Sequence, residues 1–354
     1  MSERFAHRLQ RGVPYFKFIG GANLRDLLVV ERLATLYALA GATLIDVAAE
    51  PAVVAAARRG ILTARRWHEQ RLPWLVALAQ TGPQDFFEPL VMASITLEGD
   101  RHTQIAVVDD PLCVTCDRCT PVCPPGSIVN GTVKDIICTG CGLCVPVCPT
   151  ACISLQPRDT MPDLEACRDA GAEALEIHTG VASEPELREM AGVARDWQRR
   201  GGLLSYSLDG HQLGYPRIKA LTRELGKVGV IIQADGKPIS GTQGLRSTIP
   251  AVRLARTLSA LGTGAWIQPA GGTNDQTGPL SRRLNLSIAG VGMGSFARRV
   301  ARELEAGADS PAVWARALDE ARQLVKTVHD AGSLTGPAYS VSGRYDRGGV
   351  ASGG

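Results

Sequence analysis

Residues 113–149 read CVTCDRCTPVCPPGSIVNGTVKDIICTGCGLCVPVCP. The stretch holds Cys113-x2-Cys116-x2-Cys119-x3-Cys123-Pro124 and, 25 residues on, Cys138-x2-Cys141-x2-Cys144-x3-Cys148-Pro149. Eight of the ten cysteines thus stand in two copies of one pattern. The opening MSERFAHRLQRG has arginines but no apolar core of a secretory signal, so a reducing cytoplasm is the expected setting. In that setting clustered thiols are metal ligands or redox groups before they are disulfides.

A cubane cluster needs four thiolates aimed at four corners. A loop with x2 spacing can wrap three of them before its backbone runs out of room, so the fourth comes from elsewhere. In the bacterial two-cluster ferredoxin pattern the Cys before Pro ligates the other cluster. This assigns Cys113, Cys116, Cys119 and Cys148 to one 4Fe-4S cluster, and Cys138, Cys141, Cys144 and Cys123 to a second. The flanks fit such a module over residues 101–158: a strand at 104–108, a hairpin at 127–133 turning on Asn130-Gly131, and a closing strand at 153–155. A pair of zinc knuckles, the alternative, would have separated C-x2-C pairs and no use for a third x2-spaced Cys. Cys152 stands where the first copy has Ser127, and Cys167 lies in a helical stretch; both read as packed thiols.

The rest of the chain is ordinary in composition, with 45% hydrophobic and 21% charged residues among 354, which excludes wholesale disorder. A net charge of +3 argues against nucleic acid as the main partner. The most apolar stretch, 33–49, follows Glu31-Arg32 and contains Asp46, so no membrane span is expected. Strand-like runs at 15–19, 43–47, 90–95, 174–178, 203–208, 228–233, 265–269 and 286–291 alternate with helical periodicity at 27–40, 51–59, 162–170, 184–199, 215–225, 250–261 and 296–305. Eight strands with helical crossovers predict an α/β fold, a (β/α)8 TIM-like barrel with the ferredoxin-type segment inserted after its third strand. Counting strands does not prove closure, and an open doubly wound sheet is the alternative. The expected division is 13–100 and 159–306 for the barrel, a C-terminal helix over 307–330, and a disordered Gly/Ser-rich tail over 331–354.

In a barrel, polar residues just after the strands line the mouth. Here they are Asn23, Asp46, Glu50, Ser94, Thr96, His178, Asp209, His211, Asp235, Lys237 and Asn274, and the inserted module leaves on the same side. The loop with Gly271, Gly272 and Thr273 follows the seventh strand, and Gly292, Gly294 and Ser295 follow the eighth. Glycines there can bring backbone N–H groups to a phosphate, making FMN or another phosphate-bearing ligand the candidate occupant, with Lys237 as a further anion contact. The plainer reading is tight turns and a solvated lysine. Basic pairs such as Arg58-Arg59 and Arg298-Arg299 read as solvated helix faces, and His178 and His211 as hydrogen-bonded structural residues.

Three segments carry a family resemblance: FKFIGGANLRDLLVVERLATLYALAGATLIDVAAEPAVV (16–54), the double cysteine run, and QADGKPISG (233–241) followed by IQPAGGTND (267–275). With these the chain resembles the cyanobacterial light-dependent period family, LdpA. The resemblance implies an iron–sulfur protein that senses cellular redox state through an electron donor pool and adjusts circadian period by association with clock proteins. The eight cluster cysteines carry over to this chain; no barrel residue does. The rival from the residues themselves is an oxidoreductase, with or without flavin, whose clusters feed a site at the barrel mouth.

Overall fold

The segment YFKFIGG, β1 (Tyr15–Gly21), is buried on both faces along most of its length. A strand achieves that between a core on one side and a covering helix layer on the other. The computed structural model describes residues 12–331 other than 22–23, 79–85, 98–103, 124–125, 136–137, 139, 158–161, 181, 211 and 237–243, and in addition Phe5 and Leu9. After β1 come α1 (Leu27–Ala40), β2 (Leu44–Ala48), α2 (Pro51–Glu69), α3 (Pro73–Leu78) and β3 (Leu90–Thr96). The cysteine-rich segment contributes β4 (Gln104–Val108), β5 (Ile128–Val129), β6 (Thr132–Val133) and β7 (Ile153–Pro157). Then follow α4 (Leu164–Asp169), β8 (Ala172–His178), α5 (Glu184–Arg199), β9 (Leu203–Asp209), α6 (Tyr215–Leu225), β10 (Val230–Asp235) and α7 (Leu245–Ser259). The chain ends with β11 (Trp266–Ala270), α8 (Thr277–Arg283), β12 (Gly290–Met293), α9 (Ser295–Val300), α10 (Arg302–Glu305) and α11 (Pro311–His329).

Eight of these strands form one parallel sheet in the order β11-β10-β9-β8-β3-β2-β1-β12. The last seam is bridged where Ala289 N–H donates to Ile267 C=O at 2.9 Å, while Tyr15 N–H donates to Ala289 C=O at 2.9 Å. The sheet thereby curls into a nearly closed barrel with helices around it, and the open doubly wound alternative is excluded. Several boundaries differ from expectation, β12 at Gly290–Met293 against 286–291 among them. Helix α7 starts five residues ahead of Pro250, which lies inside the helix rather than opening it. Helix α2 runs on to Glu69 because Ala57, Gly60, Ile61 and Ala64 keep an apolar stripe buried. The stretch 296–305 breaks at Ala301 into α9 and α10. The disordered tail expected over 331–354 falls, from residue 332, outside the described residues.

The barrel interior has two layers of opposite character. At the N-terminal ends of the strands Tyr15, Leu44, Leu90, Met92, Ala174, Leu203, Ile231, Trp266 and Ala289 make an apolar floor, plugged by Phe5 and Leu9. The Phe5 ring stands 5.2 Å from Tyr15 and 5.6 Å from Trp266. Gly290 leaves room for the Tyr15 ring, since a Cβ there would lie 2.4 Å from it.

Above the floor sits Lys17, 0% exposed, with Nζ 2.5 Å from Glu176 Oε2, 2.9 Å from Asp46 Oδ2 and 3.0 Å from Gln233 Oε1. Ser205 donates to Glu176 at 2.7 Å, Ser94 donates to Asp46, Gln268 Nε2 donates to Gln233 Oε1 at 2.6 Å, and Gln268 Oε1 accepts from Tyr15 OH at 2.8 Å. Burial alone would lower the Lys17 pKa, but Asp46 and Glu176 outweigh it and hold the ammonium above its ordinary value. Burial pushes Asp46 up; Glu176, pushed the same way by burial, is pulled well below the carboxylate range by Lys17 and His178.

Replacing Lys17 strands two buried carboxylates, so Lys17→Met is expected to cost about 3–5 kcal/mol in urea denaturation. Ser205→Ala, which removes one donor, is expected to cost about 1 kcal/mol and serves if the first variant does not fold. The Lys17 pKa is raised on folding, so its contribution is complete below the ordinary lysine value and is lost as pH rises through the raised one. Urea midpoints measured from about pH 8 to about pH 11.5 should fall late in wild type, in a step absent from Lys17→Met. Gly290→Ala is expected to cost about 1–3 kcal/mol by overpacking against Tyr15, read by the same melts.

Candidate functional site

The chain leaves the barrel after β3 and re-enters at α4, and the intervening segment has its own small core of Ala106, Cys119, Ile128, Cys138, Cys144, Cys152 and Ile153. Strands β4 and β7 pair antiparallel, from Gln104 opposite Pro157 to Val108 opposite Ile153. Between them β5 and β6 form the hairpin that Asn130-Gly131 dictates, with φ of 49° and 77° as a type I′ turn demands. Asp117 ties the first cysteine loop to that hairpin by accepting from Asn130 N–H at 3.0 Å.

The two cysteine copies repeat in backbone conformation as well as in sequence. Left-handed residues occur at Thr115, Asp117 and Gly126 in the first and at Gly140, Gly142 and Ala151 in the second, each pair 25 positions apart. Alternation of right- and left-handed residues turns successive N–H groups to one side, the concave nest that suits anionic phosphate and iron–sulfur groups. Thr115, Asp117 and Ala151 hold this conformation without being glycine, at a cost of order 1 kcal/mol or more each.

Cys113, Cys116 and Cys119 of the first copy line one small cavity together with Cys148 of the second, and Cys152 is on its wall. Gly131 makes space beside Cys113, whose sulfur would be 2.7 Å from a Cβ at that position. The other four thiols are also neighbours: burial first, then the charges of Cys141, Cys123 and Cys138, push Cys144 up to about 11. Cys123 Sγ accepts from Ser127 N–H at 3.2 Å and lies 3.1 Å from Ser127 Oγ, and Ala106 N–H points at Cys138 Sγ from 3.5 Å. Hydroxyl contact from Thr150 leads in drawing the Cys148 thiol down to about 6. All ten cysteines are free thiols. Among the described residues no three His, Cys, Asp or Glu side chains converge tightly enough for a single metal ion. A cubane draws its thiolates to four different irons and so has its donors spread apart; the four thiols around the one cavity, and the N–H groups aimed at Cys123 and Cys138, fit that group.

At the barrel mouth Asp46, Ser94 and His178 come together around residues that sequence reading passed over, Lys17 and Glu176; His178 Nε2 is 3.3 Å from Glu176 Oε1. These, with Ser205, Gln233 and Gln268, sit in the middle of apolar strands. The signal that could have found them is a buried polar residue within each barrel strand except β12, where Gly292 stands opposite Lys17. The remaining mouth residues make contacts of their own, and Asp209 and Asp235 stand opposite each other at the ends of β9 and β10. Glu50 pairs with Arg25, Asp209 accepts from Gln212 N–H at 3.1 Å, Thr96 pairs in register with His178, and Asp235 ends β10.

The two glycine loops meet each other: Thr273 Oγ1 donates to Gly292 C=O, and a Cβ on Gly292 would be 2.8 Å from Gln268 Nε2 and 2.9 Å from Ile19 Cδ1. Asn274, fully buried, donates from Nδ2 to Gly244 C=O at 2.9 Å. Gly271 and Gly272 are left-handed, Gly294 has φ −104° and ψ −100°, and Ser295 opens α9. Lys237, Asn23 and His211 lie outside the described residues. Of the basic pairs expected on solvated faces, Arg59 is exposed beside Glu31, whereas Arg58 and Arg298 are half-buried in ion pairs with Glu88 and Glu305.

No helix among the described residues is long and apolar enough to cross a membrane. Among solved structures the chain is similar to tryptophan synthase from M. tuberculosis in its ligand-free form, at TM-score 0.47 and 11% identity over 93% of this chain and 98% of that one. It is also similar to tryptophan synthase subunit alpha from Legionella pneumophila, at TM-score 0.42 and 13% identity over 94% and 98%. The model of the Light dependent period A C-terminal domain matches residues 167–337. A protein of Synechococcus elongatus, Light dependent period A, is 32% identical over 325 residues, which is 86% of each chain. With 32% identity over 86% of the chain, the chain belongs to the light dependent period A (LdpA) family.

Proposed function

We propose that this chain is an iron–sulfur redox protein acting in the light-dependent period of a circadian clock, with two 4Fe-4S clusters that report the state of a cellular electron donor pool to clock proteins. The observation that carries the reading is the cavity in which Cys148 of the second copy joins Cys113, Cys116 and Cys119 of the first. Each cluster, when bound, supplies a site that takes up or releases one electron. The chain's own residues do the rest. Cys113, Cys116, Cys119 and Cys148 hold one, and Cys138, Cys141, Cys144 and Cys123 the other. Donors such as Ser127 N–H and Thr150 Oγ1 on the crossing sulfurs favour the reduced, more negative state. Exposed Cys116 gives the donor pool an approach, while buried Cys119, Cys138 and Cys144 keep water from the remaining corners. Family membership supports the clock setting, and the cytoplasm is the compartment that would keep ten thiols reduced.

A second reading has one observation in its favour, the buried ion cluster of Lys17, Asp46 and Glu176 at the mouth end of the barrel. It makes the barrel an oxidoreductase site, with FMN or another phosphate-bearing ligand on the Gly271–Thr273 and Gly292–Ser295 loops. Stoichiometric flavin released from purified protein would favour it.

Anaerobic purification with iron and sulfide analysis and electron paramagnetic resonance tests the leading reading. Because the last ligands cross, Cys148→Ser is expected to lose the same signal as Cys116→Ser, with roughly half of the iron, and Cys123→Ser the same signal as Cys141→Ser. Colourless protein holding zinc overturns the reading. Loss of the Cys141 signal in Cys148→Ser overturns the ligand assignment.

A further inference from the structure

The two copies differ at the position four residues after the crossing cysteine. In the first copy it is Ser127, with its hydroxyl 3.1 Å from Cys123 Sγ. In the second it is Cys152, with its sulfur 3.3 Å from Cys148 Sγ. The contact is the same; the chemistry is not, because two thiols can be joined by oxidation and a thiol and a hydroxyl cannot. The backbone favours the joining. A turn closed by Ala151 N–H to Cys148 C=O at 3.4 Å, with Ala151 left-handed, folds the chain back so that both sulfurs line one cavity. Cys152 is 5% exposed and its backbone is pinned to the neighbouring strand by Asp109 N–H at 2.8 Å, which keeps its sulfur beside Cys148. The remaining non-ligand thiol, Cys167, is fully buried against the barrel and pushed up to about 12 by that burial, out of reach of this chemistry.

We propose that Cys148 and Cys152 are an oxidisable dithiol, in which peroxide closes a disulfide whenever Cys148 is not holding iron. Two S–H bonds and the peroxide O–O bond break, the S–S bond forms, both electrons and both hydrogens pass to the peroxide, and two waters leave. The closed pair withholds the fourth ligand of the Cys113, Cys116 and Cys119 site until a thiol reductant reopens it, while the other site, guarded by Ser127, refills freely. Only this consequence rests on the cluster reading; the bond itself does not.

The test uses full-length protein stripped of iron by a chelator without oxygen, then exposed to hydrogen peroxide, alkylated and cut with trypsin. The expected fragment starts after Lys134 and ends at Arg158, and tandem mass spectrometry should find its disulfide between Cys148 and Cys152, with Cys138, Cys141 and Cys144 alkylated. Iron reconstitution without reductant should return roughly half of the iron to the oxidised wild type and nearly all of it to Cys152→Ser. Ser127→Cys should confer the same loss on the second site, with the new thiol linked to Cys123. Alkylated Cys152 after peroxide overturns the proposal, and a Cys148→Ser variant that keeps all its iron through Cys152 overturns its consequence for the cluster. Protein that never takes up iron sinks the cluster reading instead, and the mass spectrum still decides the dithiol.

Discussion

A single ammonium group at the centre of the barrel holds together strands that are remote in sequence. Lys17 on β1 touches Asp46 on β2, Glu176 on β8 and Gln233 on β10, so one side chain spans half the ring. Such a group is tolerable only in a closed ring, since an open sheet would leave it with fewer partners and no solvent to replace them. The charge layer also depends on what lies under it. Phe5, Tyr15 and Trp266 seal the floor, so the polar groups above can satisfy one another or look toward the mouth. Closure, burial of charge and the polarity of the mouth are therefore one constraint, and whatever is attached at the mouth inherits a rigid rim.

That constraint explains which parts of the molecule could be read in advance. Strand number, helical crossovers and the place of the insertion follow from local alternation of apolar runs, and the barrel has them where expected. The grouping of the cysteines was an expectation from spacing, and one cavity has Cys113, Cys116, Cys119 and Cys148 on its wall. What escaped was non-local. Lys17 and Glu176 sit within YFKFIGG and ALEIH, where a lone charge among apolar residues looks like an interruption rather than half of a pair 159 residues apart. The left-handed backbone of Thr115, Asp117 and Ala151 escaped for the opposite reason. It is local, but no glycine marks it, and the conformation is imposed by the wrapping of the loop.

The glycine loops show how one signal can serve two readings. Glycine was read as a means of bringing backbone to phosphate, or as a tight turn. In the barrel the space left by Gly292 is taken by Ile19 and Gln268, and the Thr273 hydroxyl is spent on the Gly292 carbonyl. Close packing of the chain on itself accounts for these residues without a ligand, so the loops alone carry little weight for an enzymatic site. Buried charge nearby is the better argument for one.

The insertion itself is inexpensive for the barrel, and the reason lies in where its two ends stand. Strands β4 and β7 bring Gln104 opposite Pro157, so the entry and exit of a segment of some fifty residues stand side by side. To the barrel it is a short loop, and little closure entropy is added. Pairing of β3 with β8 is kept through Thr96 opposite His178, and Leu97 N–H continues it by donating to His178 C=O at 3.2 Å. The covalent lead into the cysteine segment thus departs from the residue paired with His178, which touches Glu176, which holds Lys17. The buried ion cluster therefore lies beside the rim position from which the inserted segment departs.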